Sequence, residues 1–148
     1  AKALGNGFPV GAVLARPEIT RVLGPGAHAS TFGGNPLAMA ASLATLRVML
    51  RDDIAGRARD TGLYLVGQLE AVHKEHPALK AVRGRGLMVG AEFDADISFL
   101  PAEGIRHGIM INVIQNRILR FAPPLVVSTA EIDQGLTVIR AILKEKGL

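Results

Sequence analysis

Eight prolines fix where the helices and strands of this chain can begin and end. Each locks its own φ and brings no backbone N–H. Asn35-Pro36 reads as a helix start: the asparagine side chain accepts from a first-turn amide, and proline suits the first helical position. The spacing predicts a helix from Pro36 to about Leu50, rich in small residues (Ala38, Ala40, Ala41, Ser42, Ala44) and therefore expected to be buried. Asp52 or Asp53 begins a second helix, in which Ile54, Ala58, Thr61, Leu65, Leu69 and Val72 recur at helical spacing to about Lys74, and Pro77 ends it. Ser128-Thr129-Ala130-Glu131 is a capping box opening a last helix, with Ile132, Leu136, Ile139 and Leu143 on one face. A short helix, Arg16 to Leu23, is expected with Pro17 in its first turn and Gly24-Pro25-Gly26 after it.

Strand signals lie between these helices. Lys80 to Val82 and Leu87 to Phe93 read as strands, Asp94 to Ser98 as a loop, and Leu100 to His107 as a short helix ended by Gly108. Ile109 to Ile114 and Arg117 to Ala122 read as a hairpin turning at Gln115-Asn116, broken by Pro123-Pro124. Near the start, Gly5-Asn6-Gly7-Phe8-Pro9 is a sharp turn, and Val10 to Ala15 then reads as a short buried strand. Strands followed by a closing helix predict a small α+β layer with helices over one sheet face. The change from an alanine-rich helix to a charged amphipathic one places a domain boundary near residue 50. Residues 1–50 are too few for a core of their own, and residues 51–148 form the second part.

Composition excludes several classes. Hydrophobic residues make up 49% and charged residues 20% of 148, a globular balance. There is no cysteine, which excludes disulfides and thiolate metal sites and fits the cytosol. No apolar run reaches membrane-spanning length, and no charged leader precedes an apolar core. The net charge is +4 and the pI about 10.0, but the arginines are scattered among acids and there is one tyrosine, so a nucleic-acid surface is not expected.

Four residues carry candidate chemistry. Lys2 precedes the glycine turn; walled by apolar residues it would be desolvated and free for Schiff-base chemistry, and otherwise it is a solvated lysine. Ser30 and Thr31 lie in the glycine-rich loop His28 to Gly34 just ahead of a helix N-terminus, a place suited to an anion. The alternative there is a loop threonine that helps cap the helix. Arg120 sits in the apolar run Ile118-Leu119-Arg120-Phe121, either gripping a carboxylate with its fork or snorkelling from a strand edge. Gly84-Arg85-Gly86-Leu87-Met88-Val89-Gly90 is no dinucleotide fingerprint, since it precedes a strand, and its glycines fit close packing. His73 and His76 read as solvated, Arg117 as surface, and His28 and His107 have no role.

The runs AKALGNGFPVGAVLA, HASTFGGNPLAMAASLATL, VRGRGLMVGAEF and ILRFAPPLVVSTAEID, in this order and spacing, resemble the class III (ω-amino acid) aminotransferases. The likeness is greatest to acetylornithine and succinyldiaminopimelate aminotransferases, with ornithine aminotransferase next. It implies the α/β fold of the aspartate-aminotransferase type, with residues 1–50 ending the large pyridoxal-phosphate (PLP) domain and residues 51–148 forming the small α+β domain. By resemblance Lys2 carries the PLP and shuttles a proton, Thr31 reaches the phosphate of PLP in the neighbouring subunit of a homodimer, Ser30 is a weaker phosphate ligand, and Arg120 grips the substrate α-carboxylate. The implied reaction moves the terminal amino group of N-acetylornithine, or of a related ω-amino acid, to 2-oxoglutarate in the cytoplasm. Family members are longer, with the lysine well inside. The resemblance therefore implies the C-terminal portion of a larger enzyme, or a non-catalytic piece that folds or dimerises without binding PLP alone.

Overall fold

The computed structural model describes residues 2–148 as two compact units, one running to Asp53 and the other Ile54–Leu148. In the first unit a 3₁₀ turn, Lys2–Gly5, is followed by irregular chain, by α1 (Pro17–Thr20) and by α2 (Pro36–Arg51). The N-cap of α2 forms as expected: Asn35 Oδ1 accepts from the Ala38 amide at 2.9 Å. Two expectations fail here. Val10 to Ala15 is not a strand, and Val13 and Leu14 are 91% and 97% exposed. A strand needs a neighbour for its amides, and none pairs with this run among the described residues. Helix α2 is also largely exposed, with only Ala38 and Ser42 buried; within this unit its small residues meet no long partner helix.

The second unit is a one-sided α+β layer. It consists of α3 (Ile54–Glu75), β1 (Leu79–Arg85), β2 (Met88–Phe93), α4 (Leu100–Arg106), β3 (Asn112–Ile114), β4 (Ile118–Phe121) and α5 (Thr129–Glu145). The four strands form an antiparallel sheet in the order β1-β2-β4-β3. Alternation decides its faces. Val89, Ala91, Phe93 and Leu119 are buried with Leu65, Leu69 and Val72 of α3 and Leu136, Ile139 and Leu143 of α5. Each buried Val, Leu, Ile or Phe among them contributes about 1.5–3 kcal/mol of transfer free energy. Met88, Arg83 and Arg120 take the opposite, open face.

Local signals account for the joints. In α5, Ser128 Oγ accepts from the Glu131 amide at 3.2 Å, and a Glu131 carboxylate oxygen accepts from the Ser128 amide at 2.8 Å, closing the capping box. The β3–β4 hairpin turns at Gln115 and Asn116, both left-handed (φ 52° and 57°), as primed turns require. At the other end of α5, the Leu148 amide donates to Leu143 O (3.0 Å) and that of Gly147 to Lys144 O (3.2 Å), a Schellman closure around Gly147 at φ 77°. The histidines expected to be solvated are not. His76 is 8% exposed and its Nδ1 donates to Leu148 O at 2.6 Å, while His73 Nδ1 donates to Leu79 O. A carbonyl only accepts, so both rings carry hydrogen on Nδ1. Arg117 is likewise more than surface, since its Nε donates to Phe93 O at 3.2 Å.

Helix α3 meets the β1–β2 turn at backbone distance. A Cβ on Gly62 would lie 2.1 Å from Gly86 O, whereas one on Gly67 would meet nothing within 4 Å. The same substitution therefore has opposite signs along one helix. Gly62→Ala lowers stability by about 1–3 kcal/mol through overpacking. Gly67→Ala raises it by about 0.5–1 kcal/mol by restricting the unfolded chain. Urea midpoints of the two variants check this, and a stable Gly62→Ala protein would refute the close approach.

Tyr64 on α3 donates its hydroxyl to both carboxylate oxygens of Asp133 on α5, at 2.7 and 2.9 Å. That hydrogen bond holds the phenol above its usual range, with burial and the Asp133 charge adding to it. A raised folded-state value contributes stability that is complete below the ordinary tyrosine range near pH 10 and is lost as pH rises through the folded value. The expected outcome is that the stability advantage over Tyr64→Phe shrinks above pH 10 and is unchanged between pH 7 and 9, read from denaturant midpoints.

Candidate active site

Lys2 opens the 3₁₀ turn and is exposed, not walled by apolar residues as desolvation would need. It has φ 58°, a left-handed conformation that is uncommon for a residue with a side chain and costs on the order of 1–3 kcal/mol. The turn behind it is tight. Asn6 (φ 48°) and Gly7 (φ 106°) are also left-handed, and the Asn6 and Phe8 amides donate to Ala3 O and Gly5 O at 3.0 and 3.1 Å. Gly5 is required by packing, since a Cβ there would lie 2.7 Å from Val10 Cγ1. The Lys2 amine has no hydrogen-bond or ion-pair partner among the described residues.

The loop before α2 is tied to the helix through one side chain. Asn35 donates its Nδ2 to Phe32 O (2.8 Å) while its Oδ1 caps Ala38. Gly33 N donates to Ser30 O at 3.3 Å, folding the loop back. A cavity at the head of α2 is lined by Phe8, Val10, Ser30, Gly33, Asn35 and Ala38, among others. It brings the Ser30 hydroxyl close to the N-terminus of a 16-residue helix, where Pro36 has no amide hydrogen and Asn35 already accepts from Ala38 and Met39. Ser30 lines this cavity; Thr31 and Lys2 do not. Thr31 is exposed on the loop. The residue types suit a phosphorylated aldehyde: a primary amine on one turn, and a hydroxyl beside a helix N-terminus on another.

Arg120 lies in the second unit, on β4, which is an interior strand between β2 and β3. An interior position rules out an arginine snorkelling from a sheet edge. The side chain is exposed on the open sheet face, with no partner among the described residues. It stands directly opposite Gly90 on one side and Asn112 on the other. Strand register brings them there; the sequence marks Gly90 only as one of a run of packing glycines and does not mark Asn112. Beyond Gly90 lies Arg83, ion-paired with Glu92. Among the described residues no cluster of His, Cys, Asp and Glu could hold a metal, and no helix is long and apolar enough to cross a membrane.

Residues 1–143 match the family model described as aminotransferase class-III. The chain is 44% identical over 146 residues to an acetylornithine aminotransferase of Caldanaerobacter subterraneus, covering 98% of this chain and 37% of that protein. It is 42% identical over 144 residues to an ornithine aminotransferase 2 of Staphylococcus aureus, covering 97% of this chain and 36% of that protein. Its structure resembles that of an acetylornithine aminotransferase from Elizabethkingia anophelis (TM-score 0.87, 32% identity, 97% of this chain and 39% of the other). It also resembles an ornithine aminotransferase from Toxoplasma gondii with PLP at partial occupancy in its active site (TM-score 0.80, 33% identity, 91% and 34%). The chain thus spans little more than a third of the length of these relatives.

Proposed function

The chain belongs to the class III aminotransferases, and we propose that it is the lysine-bearing C-terminal portion of a PLP-dependent transaminase. In this reading the enzyme moves the terminal amino group of N-acetylornithine, or of a related ω-amino acid such as ornithine, to 2-oxoglutarate, a step of arginine biosynthesis. The observation that carries it is Lys2, an unpaired primary amine in a strained left-handed conformation at the head of a tight glycine turn. The similarity to named acetylornithine and ornithine aminotransferases supports the substrate class. Residues 1–50 are read as the end of the large PLP domain and residues 51–148 as the small domain.

When bound, PLP supplies the electron sink that lets a hydrogen leave the amine-bearing carbon as a proton. Lys2 Nζ takes that proton and returns it, being both nucleophile and titratable base. The Thr31 hydroxyl donates to the cofactor phosphate of the partner subunit in a cytoplasmic homodimer, and its exposed loop position leaves it available for this. Ser30 and the first turn of α2 assist. Arg120 takes a substrate carboxylate with two parallel N–H donors.

A second reading has its own support. Val13, Leu14 and Leu50 of the first unit are 91%, 97% and 82% exposed. A polypeptide ending up with such surface needs a partner, so the isolated chain is then a folding or dimerisation piece that does not bind PLP alone.

Three experiments on the complete holoenzyme carrying this segment test the first reading. Lys2→Ala lowers kcat by about 10²–10⁴-fold or more. Borohydride reduction followed by peptide mass spectrometry finds the cofactor on the peptide with Lys2; the label on another residue sinks the reading. Thr31→Ala weakens PLP retention by about tenfold or more in equilibrium dialysis, the cost of losing a hydrogen bond to a charged group. Unchanged retention removes Thr31 from the cofactor site.

A further inference from the structure

We propose that the carboxylate position at Arg120 is a three-residue row across the sheet, in which Asn112 is a second hydrogen-bond donor and Gly90 is the space the carboxylate enters. This rests on the reading of Arg120 as a carboxylate ligand and extends it to two residues that the sequence does not connect with Arg120.

Register supplies the row. Arg83 pairs with Gly90, Gly90 with Arg120, and Arg120 with Asn112. Directly opposite residues share a face, and the next residues along, Val89, Ala91 and Leu119, are buried on the other one. The row is therefore on the open face. Asn112 and Arg120, directly opposed, have Cβ atoms about 4.5–5.5 Å apart, and Arg83, two strands away, is about 10 Å from Arg120.

Gly90 is not explained by packing. A Cβ there would meet Ile118 Cγ2 at 3.4 Å and Arg83 O at 3.9 Å, both ordinary contacts, and its φ is not left-handed. Other glycines of this unit differ. A Cβ on Gly62 or Gly84 would strike backbone oxygen at 2.1 or 2.3 Å, and one on Gly104 would lie 2.8 Å from Ile111. A glycine inside a strand weakens it unless something approaches closely. At Gly90 the approach is over the open face, beside the guanidinium.

Asn112 completes the other side. It lies on the edge strand, exposed, and its side chain has no partner among the described residues. A carboxylate offers about four acceptor positions, of which an arginine fork fills two. The Asn112 amide donates to a third without adding charge. Glu92, the acid diagonal to Arg120 on this face, is held by Arg83, which keeps it from neutralising Arg120. The row thus presents one uncommitted cation, one neutral donor and an empty slot, a match for the carboxylate of an amino or oxo acid.

The test uses the complete holoenzyme carrying this segment, with glutamate kinetics and calorimetric binding of glutarate as probes. Asn112→Ala is expected to raise KM for glutamate about five- to tenfold with kcat within about twofold, and to weaken glutarate by the same factor. Asn112→Asp is expected to do more, because a carboxylate opposite Arg120 occupies its fork. Gly90→Ala is expected to raise the same KM several-fold while the thermal midpoint holds. If Arg120→Ala impairs glutamate and glutarate but both Asn112 variants behave as the parent, the row is refuted and the Arg120 reading survives. If Arg120→Ala leaves both probes unchanged, that reading fails, and the row with it.

Discussion

The second unit depends on a sheet covered from one side only. Helices α3 and α5 pack on Val89, Ala91, Phe93 and Leu119, and that contact supplies most of the apolar burial. A sheet with both faces covered would have to pair or bury every side chain between the strands. With one face free, β4 holds an arginine at an interior position while its neighbours Leu119 and Phe121 still face the core. Alternation at period two makes this possible within a four-residue strand. The same strand that closes the core exposes the cation.

Close backbone contact makes the sheet's position on α3 well defined. The nearness of Gly62 and Gly86 leaves no room for sliding, and the Glu103–Lys146 ion pair at 3.0 Å ties α4 to the end of α5. Surface ion pairs contribute about 0–1 kcal/mol each, so Arg83–Glu92 on the open face does little for stability. Its consequence is electrostatic: it sets which charges of that face are committed and which are free.

Much of this was legible from local chemistry. Asn35-Pro36 and Ser128…Glu131 marked helix starts because a cap needs only residues three positions apart. The buried face of α5 followed from period alone. What failed depended on distant partners. Val10 to Ala15 has strand composition but no strand beside it in the described chain, and the small residues of α2 signalled burial that this unit does not supply. Whether Lys2 is dry or solvated likewise depends on distant chain, and in this unit it is exposed. His73 and His76 read as solvated, yet each holds a carbonyl, Leu79 and Leu148, that only tertiary folding brings to it. Lys2, Ser30, Thr31 and Arg120 were recognisable by motif, but Gly90 and Asn112 were not, since pairing register is not written in any one strand.

That difference has a physical basis. A residue that performs a step must be of one chemical type, so its identity marks it within a short motif: an amine to bond a carbonyl, a fork to hold a carboxylate. A residue that shapes the space around the step need only be small, or neutral and able to donate. Glycine and asparagine also serve turns, caps and edges throughout this chain, as Gly147 and Asn35 do. Only position distinguishes the two uses. At Gly90 a Cβ would meet only Ile118 and Arg83 at 3.4 and 3.9 Å, and it would fill the ground beside Arg120. The glycine is therefore better explained by what approaches the sheet than by the sheet itself.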